Sequence, residues 1–132
     1  MALDIGIGDG TSPMPSANEP VVQLDNEGFY WFLHPLLEKL QIETGQYVDL
    51  YGDASFADKD LEALDRMLDD ARTIVDSQPL VWKVHIGNQI RPERKELFAD
   101  VEKVRFMKLL GDWKSIVERA RQLCRPVVCF GD

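Results

Sequence analysis

A chain of 132 residues with 45% hydrophobic and 29% charged residues has the size and balance of one globular domain with its own core. No apolar run reaches the roughly 18 residues that cross a bilayer, and Met1 to Gly10 has neither the basic start nor the apolar stretch of a signal peptide, so a soluble cytoplasmic protein with no membrane contact is expected. The net charge of −8 is uneven, with 16 Asp and Glu against 4 Lys and Arg in residues 1–79, and 7 against 11 in residues 80–132. An acidic face repels phosphate backbones and attracts basic partners, which argues against nucleic acid and for a basic protein.

In chain order, residues 1–20 crowd Gly6, Gly8, Gly10, Pro13, Pro15 and Pro20 among Ser, Thr and Asn, the composition of a flexible arm. Within it, Leu3, Ile5 and Ile7 alternate with Asp4 and Gly6, so residues 3–7 are expected at most as an edge strand. The domain proper is then 21–132. Val21 to Leu24 reads as a strand, with Asp25 or Asn26 as a cap for the segment after it. Pro35 divides that apolar segment, predicting a turn over 29–34 and a helix from Pro35 to Glu43 that Gly45 stops.

Tyr47 to Tyr51 alternates in the manner of a strand, and Leu61, Leu64, Leu68, Ala71 and Val75 define a helix over 58–76 with Asp58 as its cap. Val81 to Gly87 is rich in β-branched and aromatic residues and reads as a strand, followed by a turn to Arg94 and a brief extension at 96–98. Val104, Met107, Leu110, Trp113, Val117 and Ala120 set the face of a helix over 100–124, and the apolar Val127 to Phe130 forms a strand buried on both sides. The fold class that emerges is α/β or α+β, a small mixed sheet of about four strands covered by two or three helices. Cys124 and Cys129 read as buried thiols, with no disulfide framework, metal site or cofactor implied.

Four groups of residues invite a functional reading. Gly6-Ile7-Gly8-Asp9-Gly10 has the glycines of a phosphate loop but no Lys-Ser or Lys-Thr, and prolines stand where its helix would start. Asp49 and Asp53 flank a strand end, where open sheets place ligand sites, and His85 is the histidine whose strand can reach them for acid–base work; His34 reads as packed or capping. Phe29-Tyr30-Trp31-Phe32 is too dense an aromatic run for one buried face, so Tyr30 and Trp31 are candidate anchors for a partner. Asp65, Asp69 and Asp70 belong to an acidic helix surface that is either a solvated face or a dock for that basic partner. The C-terminal helix has the opposite sign, and the two helices can face one another within a chain or across a dimer.

The runs Tyr47-Val48-Asp49-Leu50-Tyr51-Gly52-Asp53-Ala54, Gln78 to Gly87 and Val127 to Asp132 resemble a set of small uncharacterised bacterial proteins. Small acidic proteins of this kind are also similar to the immunity proteins that neutralise bacterial toxins, although no motif here is specific to them. The resemblance supplies no catalytic assignment; the charge split, together with the absence of a recognisable catalytic set, makes a non-enzymatic, immunity-like interaction protein the leading expectation, in which an acidic face and exposed aromatics bind a basic protein. Two other readings stand beside it: a small enzyme or ligand-binding domain using Asp49, Asp53 and His85, and a structural homo-oligomer.

Overall fold

The computed structural model describes residues 2–25, 28–90 and 92–131. Its elements are β1 (Ala2–Ile7), β2 (Val21–Asp25), α1 (Phe29–Thr44), β3 (Asp53–Phe56), α2 (Lys59–Asp76), β4 (Val81–Gln89), β5 (Lys95–Glu102), α3 (Lys103–Leu123) and β6 (Val127–Gly131). They form a four-stranded sheet in the order β2-β1-β6-β3 and a separate two-stranded ribbon, β4-β5. The α/β composition is as expected, but every strand pair is antiparallel, so the sheet is not mixed.

Residues 2–7 are not a loose arm or an edge. β1 lies between β2 and β6, with Ile5 opposite Val22 on one side and Cys129 on the other. Leu3, Ile5 and Ile7 are fully buried, since alternation turns them towards the helices. Gly6 and Gly8 serve close packing, while Gly10 takes a positive φ of 89° in open space. A Cβ on Gly6 would meet Pro15 at 2.7 Å and one on Gly8 would meet Val128 at 2.8 Å. The Asp9 carboxylate accepts the backbone N–H groups of Thr11 and Ser12, which lowers it to about 2.

β6 is the central strand that the closing apolar run predicts. Val127 pairs with Ile7 and Phe56, and Cys129 with Ile5 and Ala54. The strand expected at 47–51 lies instead at 53–56, because it is Asp53–Phe56 that takes the hydrogen bonds of β6. Val48 and Leu50 are buried all the same, as their alternation implies.

α1 begins at Phe29, six residues before Pro35, and keeps that proline inside it. Its N-cap is Gly28; of the caps expected there, Asn26 and the Asp25 side chain lie outside the described residues. Gly45 ends it in the left-handed conformation as expected, its N–H bonded to the Gln41 carbonyl at 2.7 Å. Asp58 holds the N-cap position of α2, but its side chain makes no capping bond; its backbone carbonyl accepts the N–H groups of Leu61 and Glu62. The extension expected at 96–98 is the full eight-residue β5.

The core joins the helices to one face of the sheet through Leu33, Leu37, Leu64, Leu68, Leu110 and Trp113, all fully buried. Phe106 bridges to the ribbon, lying 4.7 Å from Phe29 and 5.4 Å from Phe32 by ring centroid, with Trp82 stacked at 6.2 Å. Of the two thiols, Cys129 is buried, whereas Cys124 is exposed at the left-handed C-cap of α3.

Candidate functional site

On α1 the aromatic run divides by direction. Phe32 meets Trp82 of the ribbon, Phe29 packs on Phe106 of α3, and Tyr30 enters the core at 2% exposure. Its hydroxyl donates to the Val48 carbonyl at 2.8 Å, and burial first, then the Tyr47 hydroxyl, raises its ionisation well above the ordinary phenol value. Tyr30 is therefore a core residue and not a partner anchor. Trp31 points outward, 37% exposed.

Trp31 stands in a stripe. Trp31, Pro35, Glu38 and Ile42 recur at i, i+4, i+7 and i+11, which places them on one side of a helix, and all four are exposed, Ile42 at 87%. α1 is thus apolar on the face that fills the core and again along its outer crest. Separately from the crest, α1 and α2 enclose a cavity of about 350 Å³ lined by the buried Leu40, Ala63 and Met67 and by Lys39, Glu43, Arg66 and Asp70.

On the other flank runs a polar chain. His34 Nδ1 lies 3.1 Å from the Glu38 carboxylate, its Nε2 lies 3.0 Å from the Tyr47 hydroxyl, and that hydroxyl is 3.4 Å from the Tyr30 hydroxyl. With Nδ1–H given to Glu38, a neutral imidazole accepts the Tyr47 proton at Nε2. The chain ties residues 46–50 to α1 and fixes the surface beside Trp31, whose ring centroid is 5.6 Å from that of His34. The i, i+4 spacing of His34 and Glu38 was its only sign in the sequence; Tyr47 has none.

The acidic helix surface meets its counter-charges inside the chain. Lys114 of α3 reaches Asp65 at 3.5 Å and also bonds to Asp69, and Arg121 reaches Asp65 at 3.7 Å. Asp65 and Asp69 therefore link α2 to α3, and the charge split between the chain halves is in part internal complementarity. Asp70 is exposed on the cavity rim with no ion-pair partner among the described residues.

Asp49, Asp53 and His85 do not converge. The Asp49 carboxylate accepts the Tyr51 N–H at 3.1 Å, Asp53 is exposed at the start of β3 opposite Phe130, and His85 belongs to the other sheet, 3.2 Å from the Asn88 side chain and tilted against Phe98. Among the described residues no group of three His, Cys, Asp or Glu side chains is placed to hold a metal ion. A larger cavity, about 470 Å³, lies between the start of α2 and the end of α3, lined in part by Asp58, Arg121, Cys124 and Arg125. No protein-family model, curated protein or solved structure matches this chain.

Proposed function

We propose that this chain is a non-enzymatic protein-interaction module that takes a basic protein on the outer face of α1, in the manner of an immunity protein. The observation that supports this reading is the uncovered stripe of Trp31, Pro35 and Ile42 on a helix whose opposite face already fills the core. A helix that is only a solvated lid has no use for an apolar crest. Trp31 is the anchor, since a large, stiff, half-exposed ring gains the most from being covered. Glu38 on the crest and Asp70 on the rim of the cavity between α1 and α2 supply negative charge on this side of the molecule, which steers a basic partner.

The test is co-purification from the native host with the intact chain and with Trp31→Ala/Ile42→Asp as bait. Both substitutions are at exposed positions, so the thermal midpoint is expected to stay within the small range of surface changes. A basic protein held by the former and lost by the latter supports the proposal; loss of about 2 kcal/mol, roughly 30-fold in affinity, is expected from Trp31. Equal retention by both baits, or an acidic protein as the retained partner, contradicts it.

A further inference from the structure

The cavity between the start of α2 and the end of α3, about 470 Å³, lies away from the α1 crest and has a chemistry of its own. Its size falls in the range of small-molecule sites, and its apolar lining comes from Leu61 and Ala120, both buried, with Pro126 beside them. Among the described residues two that are not glycine hold a positive φ, Asp58 at 53° and Cys124 at 54°, and both line this cavity. Such backbone is costly for a residue with a Cβ and gathers at ligand sites, where the surroundings hold it in place.

The charged side chains around the cavity are left unpaired. Asp58 and Glu62 bring two carboxylates, Lys59 and Arg125 two cations, and none of the four is in an ion pair among the described residues. Arg121, the remaining cation, is engaged by Asp65 at 3.7 Å and Glu118 at 3.1 Å. Asp58 stands at the N-cap of α2, yet its carboxylate makes no capping bond. Arg125 is fixed from behind. Its Nε–H donates to the Gly8 carbonyl at 2.7 Å, and the Gly8 N–H donates to the Pro126 carbonyl at 2.9 Å, which latches this wall of the cavity to the residue after β1.

We infer that this cavity binds a small zwitterion of peptide chemistry, a dipeptide with free ends and apolar side chains. Its carboxylate lies on Arg125 and Lys59, its ammonium on Asp58 and Glu62, and its side chains on Leu61, Ala120 and Pro126. The presence of both signs selects this class. A simple anion is repelled by Asp58 and Glu62 and a simple cation by Lys59 and Arg125, whereas a zwitterion meets both pairs and brings no net charge. A guanidinium takes a carboxylate through paired N–H donors, which sets the C-terminal end of the ligand at Arg125. A single amino acid would fill only part of the volume, which favours two linked residues.

Isothermal titration calorimetry of the full chain with leucyl-leucine tests this, with the N-acetylated and the amidated dipeptides as probes of the two ends. One binding event is expected for the free dipeptide, and blocking either end should weaken it about tenfold or more, the effect of a lost charge-assisted bond. Asp58→Asn removes one carboxylate and keeps a residue that tolerates positive φ, so it should fold as the parent does and discriminate less against the N-acetylated form. Lys59→Met should discriminate less against the amidated form, without touching the bond of Arg125 to Gly8. Because Cys124 lines the cavity, bound leucyl-leucine should also slow its reaction with a thiol reagent severalfold. Trp31→Ala/Ile42→Asp should bind the dipeptide as the parent does, which separates this site from the α1 surface. Absence of both heat and thiol protection at millimolar leucyl-leucine overturns the inference. So does equal binding of the free and blocked dipeptides, or a folded Asp58→Asn that discriminates against the acetylated form as fully as the parent.

Discussion

Tyr30 and Trp31 are neighbours in the chain with opposite surroundings, because each step along a helix turns the side chain by about 100°. That the aromatic run must point in more than one direction was legible in the sequence; which ring faces solvent was not, since it depends on where α2 and the ribbon lie. The two thiols separate in the same way. Burial pushes the Cys129 thiol up to about 12, from an ordinary value of 9.0. Its folded-state value lies above its unfolded one, so between pH 9 and 12 the unfolded chain loses a proton that the folded chain keeps, and stability is full below pH 9 and falls as pH rises. Tyr30, also raised by burial, acts with the same sign above its ordinary 10.0. Chemical denaturation across this range should show stability falling by up to about 1.4 kcal/mol per pH unit for each such group, with a shallower slope in Cys129→Ala. A flat or rising profile would contradict the buried placement. Below pH 9, a thiol reagent should label Cys124 in the native protein and reach Cys129 only after unfolding.

At the scale of elements, periodicity located α2, α3 and β6 to within a few residues, because each buries a whole face of a regular element, and β4 because its alternate residues are turned inward and partly covered. It failed where burial and hydrogen bonding part company. Residues 47–51 alternate as a strand would, yet the Val48 carbonyl is taken by Tyr30, and the sheet bonds fall six residues later. β1 was readable as an extended piece but not as an inner strand, since its neighbour β6 lies over a hundred residues away in sequence. The opposite charges of α2 and α3 were plain in the sequence, but their pairing within one chain was not. Lys114, held by both Asp65 and Asp69, is the centre of that contact and is itself raised, chiefly by its bond to Asp69. Lys114→Glu should destabilise the fold by about 1 to 2 kcal/mol in low salt, and Asp69→Lys in the same chain should recover part of the loss. Independent effects in the double-mutant cycle would mean that the pair does not couple the helices.

At the scale of the molecule, the last strand holds the sheet together. β6 bonds to β1 and β3 at once, and Val127, Val128 and Cys129 are buried. Ending the chain after Arg125 removes these side chains and leaves β3 without a partner. At about 1.5 to 3 kcal/mol for each large apolar group, the loss is comparable with the whole stability of a domain. The shortened chain should show no cooperative thermal transition; an unchanged transition would contradict the central place of β6.

The folded body leaves two apolar regions uncovered, the α1 crest and the outer face of the ribbon, and the proposed basic partner sits on the first. The most direct measurement of that contact places a photoreactive side chain at position 42, on the crest, and for comparison at position 122, an exposed site on the far end of α3, and irradiates each in the native host. One discrete adduct with a basic protein is expected from position 42, absent from position 122 and abolished by Trp31→Ala. No adduct from position 42, or the same adducts from both positions, would contradict it.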